Sequence, residues 1–234
     1  MDISIIIPAY NEEKNLPIII KALRSQKPKN FEIIVVDNNS SDRTFKVAKK
    51  LADKVYICKE QGISPARNFG AKKSSKEIIA FLDADSIPPS TWISEINRVF
   101  EKDKNLTMVS GVDFYESNNF LRKTAMNLFS LIIAINNKVL SLFNVPILIA
   151  NNFAIKRKVF AKVGGFDNLV VEDYYLALKL KKLGGVKGII NFNLKVILSG
   201  RRFDKLGVFK TIKDWTVPLL KKVPSNQYKL HDKL

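Results

Sequence analysis

Residues 78–85 read IIAFLDAD. Five apolar residues lead up to Asp83, and a second carboxylate, Asp85, follows two positions later. Two acids flanking one small residue at a strand end can reach the same space. An all-oxygen pair of this kind suits a hard cation, Mg2+ or Mn2+. Two carboxylates are too few for a dedicated cage, so the remaining ligands would be water or substrate phosphates. The triplet has a plain structural use as well, as a turn and cap before SIPPS, and its spacing alone does not decide between the two.

Other acids also stand where segments end or begin. Asp37 closes the apolar run FEIIVVD, and Glu172 and Asp173 open VEDYYLALKLKKLG. A carboxylate in such a place can take a proton from a substrate or stabilise a helix N-terminus. The chain has one cysteine, Cys58, and one histidine, His231, the fourth residue from the end. That argues against a zinc site, a disulfide framework and a histidine-activated nucleophile. Catalysis would rest on carboxylates, hydroxyls and basic groups. With 39 Lys and Arg against 22 Asp and Glu, the net charge is +17. Anionic partners follow: a nucleotide, a phosphorylated lipid, an anionic membrane surface or a nucleic acid. MDISIII has neither the basic start nor the cleavage site of a secretory signal, so the expected location is cytoplasmic.

The elements that would hold these residues are legible in the first half. SIIIP, FEIIVVD, VYIC and EIIAFLDAD are short apolar runs, the pattern of strands buried on both faces. Helical stripes separate them: Leu16, Ile19, Ile20 and Leu23, then Phe45, Ala48 and Leu51. Asn11 and Ser64 are the expected N-caps of the first and third helices, with Pro65 in the first turn. Ile93, Ile96 and Phe100 mark a fourth helix. Repeated strand–helix units predict a doubly wound α/β sheet, whose ligands bind beyond the carboxyl ends of the strands. Asp37, Asp83 and Asp85 lie at such ends. Further on, 106–115 reads as a strand, 120–143 as a long apolar helix, and 172–184 as a helix closed by glycine.

The order IIIPAYNEEKNL, IIVVDNNSSDRT, GISPARNFGAKKS, IIAFLDADSIPP resembles the nucleotide-binding half of the family 2 glycosyltransferases, which have the GT-A fold. ANNFAIKRKVFAKVGGFDN and VEDYYLALKLKKLGG resemble that family's acceptor side. The resemblance implies a mixed sheet flanked by helices in one domain over 1–234. A nucleotide-sugar half would span about 1–115, an acceptor half about 116–200 and a basic tail 201–234. It implies that Pro8, Tyr10 and Glu12 hold the nucleoside, that Asp37 contacts the base, and that Arg67 lies near base and phosphates. The family often has a second acid after Asp37, where this chain has Asn38. Asp83 would approach ribose and metal, Asp85 would bind the Mg2+ or Mn2+ that bridges the diphosphate, and Asp173 would be the general base. Glu172, Asn151 and Asn152 fall on the acceptor side. Arg202, with Arg201, matches a basic motif that closes over the diphosphate in some relatives; a solvated basic face is the plain alternative.

The activity implied is inverting transfer of a sugar from a UDP- or GDP-linked donor to a hydroxyl on a saccharide or lipid. A polyprenyl-phosphate sugar synthase is the alternative within that class. Nucleotidyl transfer ranks lower, because PAYNEEKN is acidic where a phosphate loop would be glycine-rich and basic. Nucleic-acid binding rests on charge alone, and acids line the expected crevice. An inactive binding module would not need Asp37, Asp83, Asp85 and Asp173 together. Residues 128–150 carry one charge, Lys138, and are expected to form a helix and then a buried strand, the helix covering the acceptor site. A membrane-facing amphipathic surface ranks second and a true span third, since a central lysine costs about 2.5–3.5 kcal/mol on insertion. The segment FKTIKDWTVPLLKKV and the net charge add an expectation of peripheral contact with anionic lipid on the cytoplasmic face.

Overall fold

The computed structural model describes residues 1–142, 149–200, 204, 205, 207 and 210. Eight strands and seven helices are defined among them. The first half runs β1 (Ile3–Ala9), α1 (Leu16–Arg24), β2 (Phe31–Asp37), α2 (Thr44–Leu51), β3 (Lys54–Ile57), α3 (Ile63–Lys73), β4 (Ile78–Leu82), β5 (Ser86–Ile87) and α4 (Trp92–Lys102). The second runs β6 (Met108–Glu116), α5 (Phe120–Leu142), β7 (Asn152–Lys156), α6 (Arg157–Lys162), α7 (Glu172–Leu183) and β8 (Gly188–Ser199).

All eight strands join one sheet in the order β3-β2-β1-β4-β7-β6-β8-β5. The four leading strands are parallel. β7 is antiparallel to both β4 and β6, which makes the sheet mixed. The continuous apolar runs have a simple cause: both faces are covered. Ile5, Ile7, Val35 and Ala80 pack on one side with Leu16, Ile19 and Leu23 of α1 and with Ile93, Ile96 and Phe100 of α4. Ile6, Val36, Ile79 and Phe81 pack on the other with Ala66 of α3, Phe160 of α6 and Leu176 and Leu180 of α7.

Two expected caps are corrected. α1 begins at Leu16, because Pro17 lacks an N–H and fits only a first turn. Asn11 instead takes a left-handed φ of 55° and accepts a hydrogen bond from the Ser41 amide. α3 is preceded by Gly62; Ser64 is inside it, buried. The strand ending in the acid pair stops at Leu82, and β5 and β8 were not anticipated. The strand expected to close 128–150 falls mostly on residues 143–148, which lie outside the described residues; β7 follows at Asn152–Lys156.

β6 and β8 run parallel with a register shift at Gly111. A Cβ there would lie 2.1 Å from the Leu194 carbonyl oxygen, so only glycine permits this approach of the two backbones. Asn152 fills the neighbouring space. It accepts a hydrogen bond from the Trp92 indole at 3.0 Å and donates to the Leu194 carbonyl at 2.8 Å. β7, α4 and β8 are thereby held to one another through Asn152.

Candidate functional site

Parallel strands bring the carboxyl ends of β1, β2 and β4 to one rim. Ala9 pairs with Asp37, which places half-buried Tyr10 beside the end of β2. Pro8 is buried opposite Val36. The Asp37 carboxylate is buried and accepts from the Ser40 hydroxyl, so the turn after β2 folds back on its own last residue. Asn38, standing where the family often has an acid, is a loop strut. It donates to the carbonyls of Cys58 and Glu60 and accepts from the Gly62 amide at 2.8 Å. The Glu12 backbone amide donates to Thr44 at 2.8 Å, and its carboxylate accepts from Asn15.

The acid pair divides its work. Asp85 is half-buried and lines a cleft of about 240 Å³ with Asn15, Ile18, Glu116 and Ile197. Asp83 accepts a hydrogen bond of 2.6 Å from the Arg67 guanidinium. Arg67 also donates to Glu172 at the start of α7, and only 1% of its side chain is exposed. Its guanidinium lies 5.5 Å over the Phe166 ring. One buried cation therefore joins α3, the end of β4 and the start of α7. Burial opposes its charge, but the Asp83 and Glu172 carboxylates outweigh that and hold its pKa above the ordinary guanidinium value.

The GGFDN turn delivers α7 to this place. Gly165 has φ of 68°, and a Cβ there would meet Asn68 of α3. The Asn68 side chain bonds both the amide and the carbonyl of Phe166, at 2.9 and 2.8 Å. Phe166 then packs among Phe81, Phe153 and Phe160. The glycines allow the reversal, the phenylalanine anchors it, and the helix starts beside Arg67.

Electrostatics at the start of α7 follow from burial. Desolvation raises Glu172 to about 7, against the pull of Arg67. It raises Asp173 too, partly offset by the Tyr174 amide. A further acid, Asp113 on β6, lies close enough to Asp83 and Asp173 to feel their charge, and sequence reasoning misses it. Burial pushes it up to about 7, with Asp83 and Asp173 adding like-charge repulsion and Asn151 and Asn152 opposing. Among the described residues its Oδ1 has no hydrogen-bond partner. The available signal was a lone acid inside the apolar run MVSGVDFY, the same anomaly that draws attention to Asp83.

Asp113 carries a prediction. Its folded pKa lies above the ordinary 3.8, so its stabilising contribution is complete below about pH 4 and is lost as pH rises toward 7. Asp113→Asn should remove that slope and raise stability above pH 7 by a few kcal/mol. Thermal melts of both proteins across this range check it; parallel curves would mean that Asp113 is not desolvated.

Asn151 is half-buried beside Asp113. Asn152 is fully buried and engaged by Trp92 and Leu194, so it offers an acceptor no surface here. Arg201 and Arg202 lie outside the described residues. Among those residues no group of three or more His, Cys, Asp or Glu side chains is arranged to hold a metal. Asp83 and Asp85 remain an all-oxygen pair, with Asp85 open to a cleft, and that fits a hard cation completed by a diphosphate.

A family model described as "Glycosyl transferase family 2" matches residues 4–164. The glycosyltransferase AglE of Haloferax volcanii is 40% identical over 99 residues, covering 39% of this chain and 33% of AglE. The UDP-Glc:alpha-D-GlcNAc-diphosphoundecaprenol beta-1,3-glucosyltransferase WfgD of Escherichia coli is 28% identical over 235 residues, covering 92% of this chain and 84% of WfgD. The first three curated relatives matched are spanned over 33%, 61% and 47% of their own length. The mannosyltransferase PcManGT from Pyrobaculum calidifontis, solved with GDP-Man and Mn2+, superposes with a TM-score of 0.68 at 18% identity, over 97% of this chain and 66% of that one. At that identity the likeness is one of fold, GT-A.

Proposed function

The chain belongs to glycosyl transferase family 2, and from that premise we propose that it transfers a sugar, with inversion, from a UDP- or GDP-linked donor to a hydroxyl group on a saccharide or lipid acceptor. The observation that carries this reading is the Arg67 bridge. It ties the acid pair after β4 to the acids that open α7, so the donor-side carboxylates and a basic carboxylate share one site.

The roles follow from residue chemistry. Tyr10 and Asp37 at the rim bind the nucleoside, the ring by stacking and the carboxylate by accepting from a base N–H. Asp83 and Asp85 hold Mg2+ or Mn2+, which when bound offsets the charge of the diphosphate leaving group. Asp173 accepts the proton of the acceptor hydroxyl as that oxygen attacks the anomeric carbon. Its raised pKa makes it a stronger base than an exposed aspartate. One base and a direct displacement invert the anomeric centre. Arg67 and Glu172 position Asp173 without touching the acceptor. A lipid-linked acceptor is favoured within this class by WfgD, whose name specifies a diphosphoundecaprenol-linked acceptor.

Calorimetric titration of UDP and of GDP, each with and without Mn2+, tests the donor site. One nucleotide should bind in a metal-dependent manner, and Asp85→Ala should weaken that binding at least ~100-fold. Equal binding by the variant would remove Asp85 from the site. Release of pyrophosphate in place of a nucleoside diphosphate during turnover would select nucleotidyl transfer.

A further inference from the structure

The described residues include fourteen exposed large apolar side chains, and eight of them lie on α5. Leu121, Leu128, Ile132, Ile135 and Val139 follow one another at spacings of 7, 4, 3 and 4 residues. At 3.6 residues per turn they fall within about 60° of the helix circumference. Leu121 is 77% and Ile132 57% exposed. The opposite side carries the packed residues Met126, Ser130 and Ala134. There Ser130 donates to the Asp113 carbonyl at 2.6 Å, and the Tyr115 amide donates to Asn127 at 2.7 Å. α5 is thus fixed to β6 by one face and holds an apolar stripe outward on the other.

We propose that this stripe docks the protein onto an anionic lipid surface. Charge selects the occupant. α5 has no acidic residue over its 23 residues, and its cations neutralise the acids beside its start: Arg122 pairs with Asp204 at 4.0 Å and Lys123 with Glu116 at 2.7 Å, while Lys138 donates to the Ile190 carbonyl. It can approach negative headgroups without like-charge repulsion, while the net charge of +17 attracts the chain as a whole. The same charge opposes burying the stripe against a second copy, since two chains of +17 repel. A nucleic acid would find no phosphate contacts on an apolar stripe. No helix among the described residues is long and apolar enough to cross a membrane, so α5 would lie in the interface plane. Because α5 is bonded to β6 at Asp113, docking would bring the acid cluster close to the lipid headgroups. The docking does not depend on the sugar-transfer reading.

The full chain would be sedimented with vesicles of phosphatidylcholine mixed with phosphatidylglycerol, and with phosphatidylcholine alone. Binding is expected to the mixed vesicles, with a loss of roughly 100-fold in Leu128→Ser/Ile132→Ser/Ile135→Ser, since three apolar side chains no longer leave water. These positions are exposed, so the melting temperature should hold. Leu128→Trp gives an independent reading, a blue shift in emission on the mixed vesicles only. Wild-type and triple-variant chains that bind alike would overturn the proposal, leaving charge alone as the attraction. So would a wild type that ignores both vesicles, or one that is a dimer where the triple variant is a monomer.

Discussion

Asp173→Asn lowers kcat by about 10²–10⁴-fold and leaves nucleotide affinity unchanged. The amide keeps the size of the carboxylate and loses its basicity, so the acceptor hydroxyl has no place to send its proton. Stability distinguishes this from a structural role. Burial disfavours the charged form of Asp173, which raises its pKa. A raised carboxylate contributes stability below its unfolded pKa and loses it as pH rises. The neutral amide should therefore melt at the same temperature as the wild type, or higher, above neutral pH. A helix-dipole role would give the reverse, because the first turn of α7 would lose a stabilising negative charge. Steady-state kinetics with calorimetric nucleotide binding checks the first part, and a thermal melt the second. An active Asp173→Asn enzyme would end the assignment of the base.

The sequence carries the sheet centre well and its far edge poorly, for a physical reason. β1, β2 and β4 are covered on both faces, so their composition alone marks them. β8 is covered on one face over its last residues. Leu194, Val196 and Leu198 are buried, while Lys195 and Ile197 point outward. Site residues divide in the same way. Asp83, Asp85, Glu172 and Asp173 stand at the ends of elements and are visible as anomalies in a local window. Arg67 looks like any helix arginine, because its partners are 16 and 105 residues away. Asn152 looks like half of an exposed pair, yet Gly111 and Trp92 show it to be an internal brace, and neither is near it in sequence.

Arg67→Met is expected to cost about 3–5 kcal/mol of stability, the typical result of removing one partner from a buried ion pair. Methionine fills the space of the aliphatic stem and leaves Glu172 buried without its cation. Glu172, already raised to about 7, would rise further and take up a proton. Glu172→Gln in the same chain should recover part of the loss, since an amide needs no counter-charge; a urea-denaturation cycle over the four proteins measures the coupling. Arg67→Lys should recover less than charge alone suggests. One ammonium cannot replace a fork whose two arms reach different elements, Asp83 through one nitrogen and Glu172 through the other. The effect on turnover follows from the same geometry. In the proposed reaction Asp173 is held only as firmly as the first turn of α7, and Arg67 ties that turn to Asp83 at the end of β4. Loss of kcat in Arg67→Lys, with Asp173 intact and nucleotide still bound, would assign Arg67 to positioning. Unchanged stability in Arg67→Met would show instead that the two halves of the site are held together by the Phe166 cluster, with the buried charges contributing nothing net.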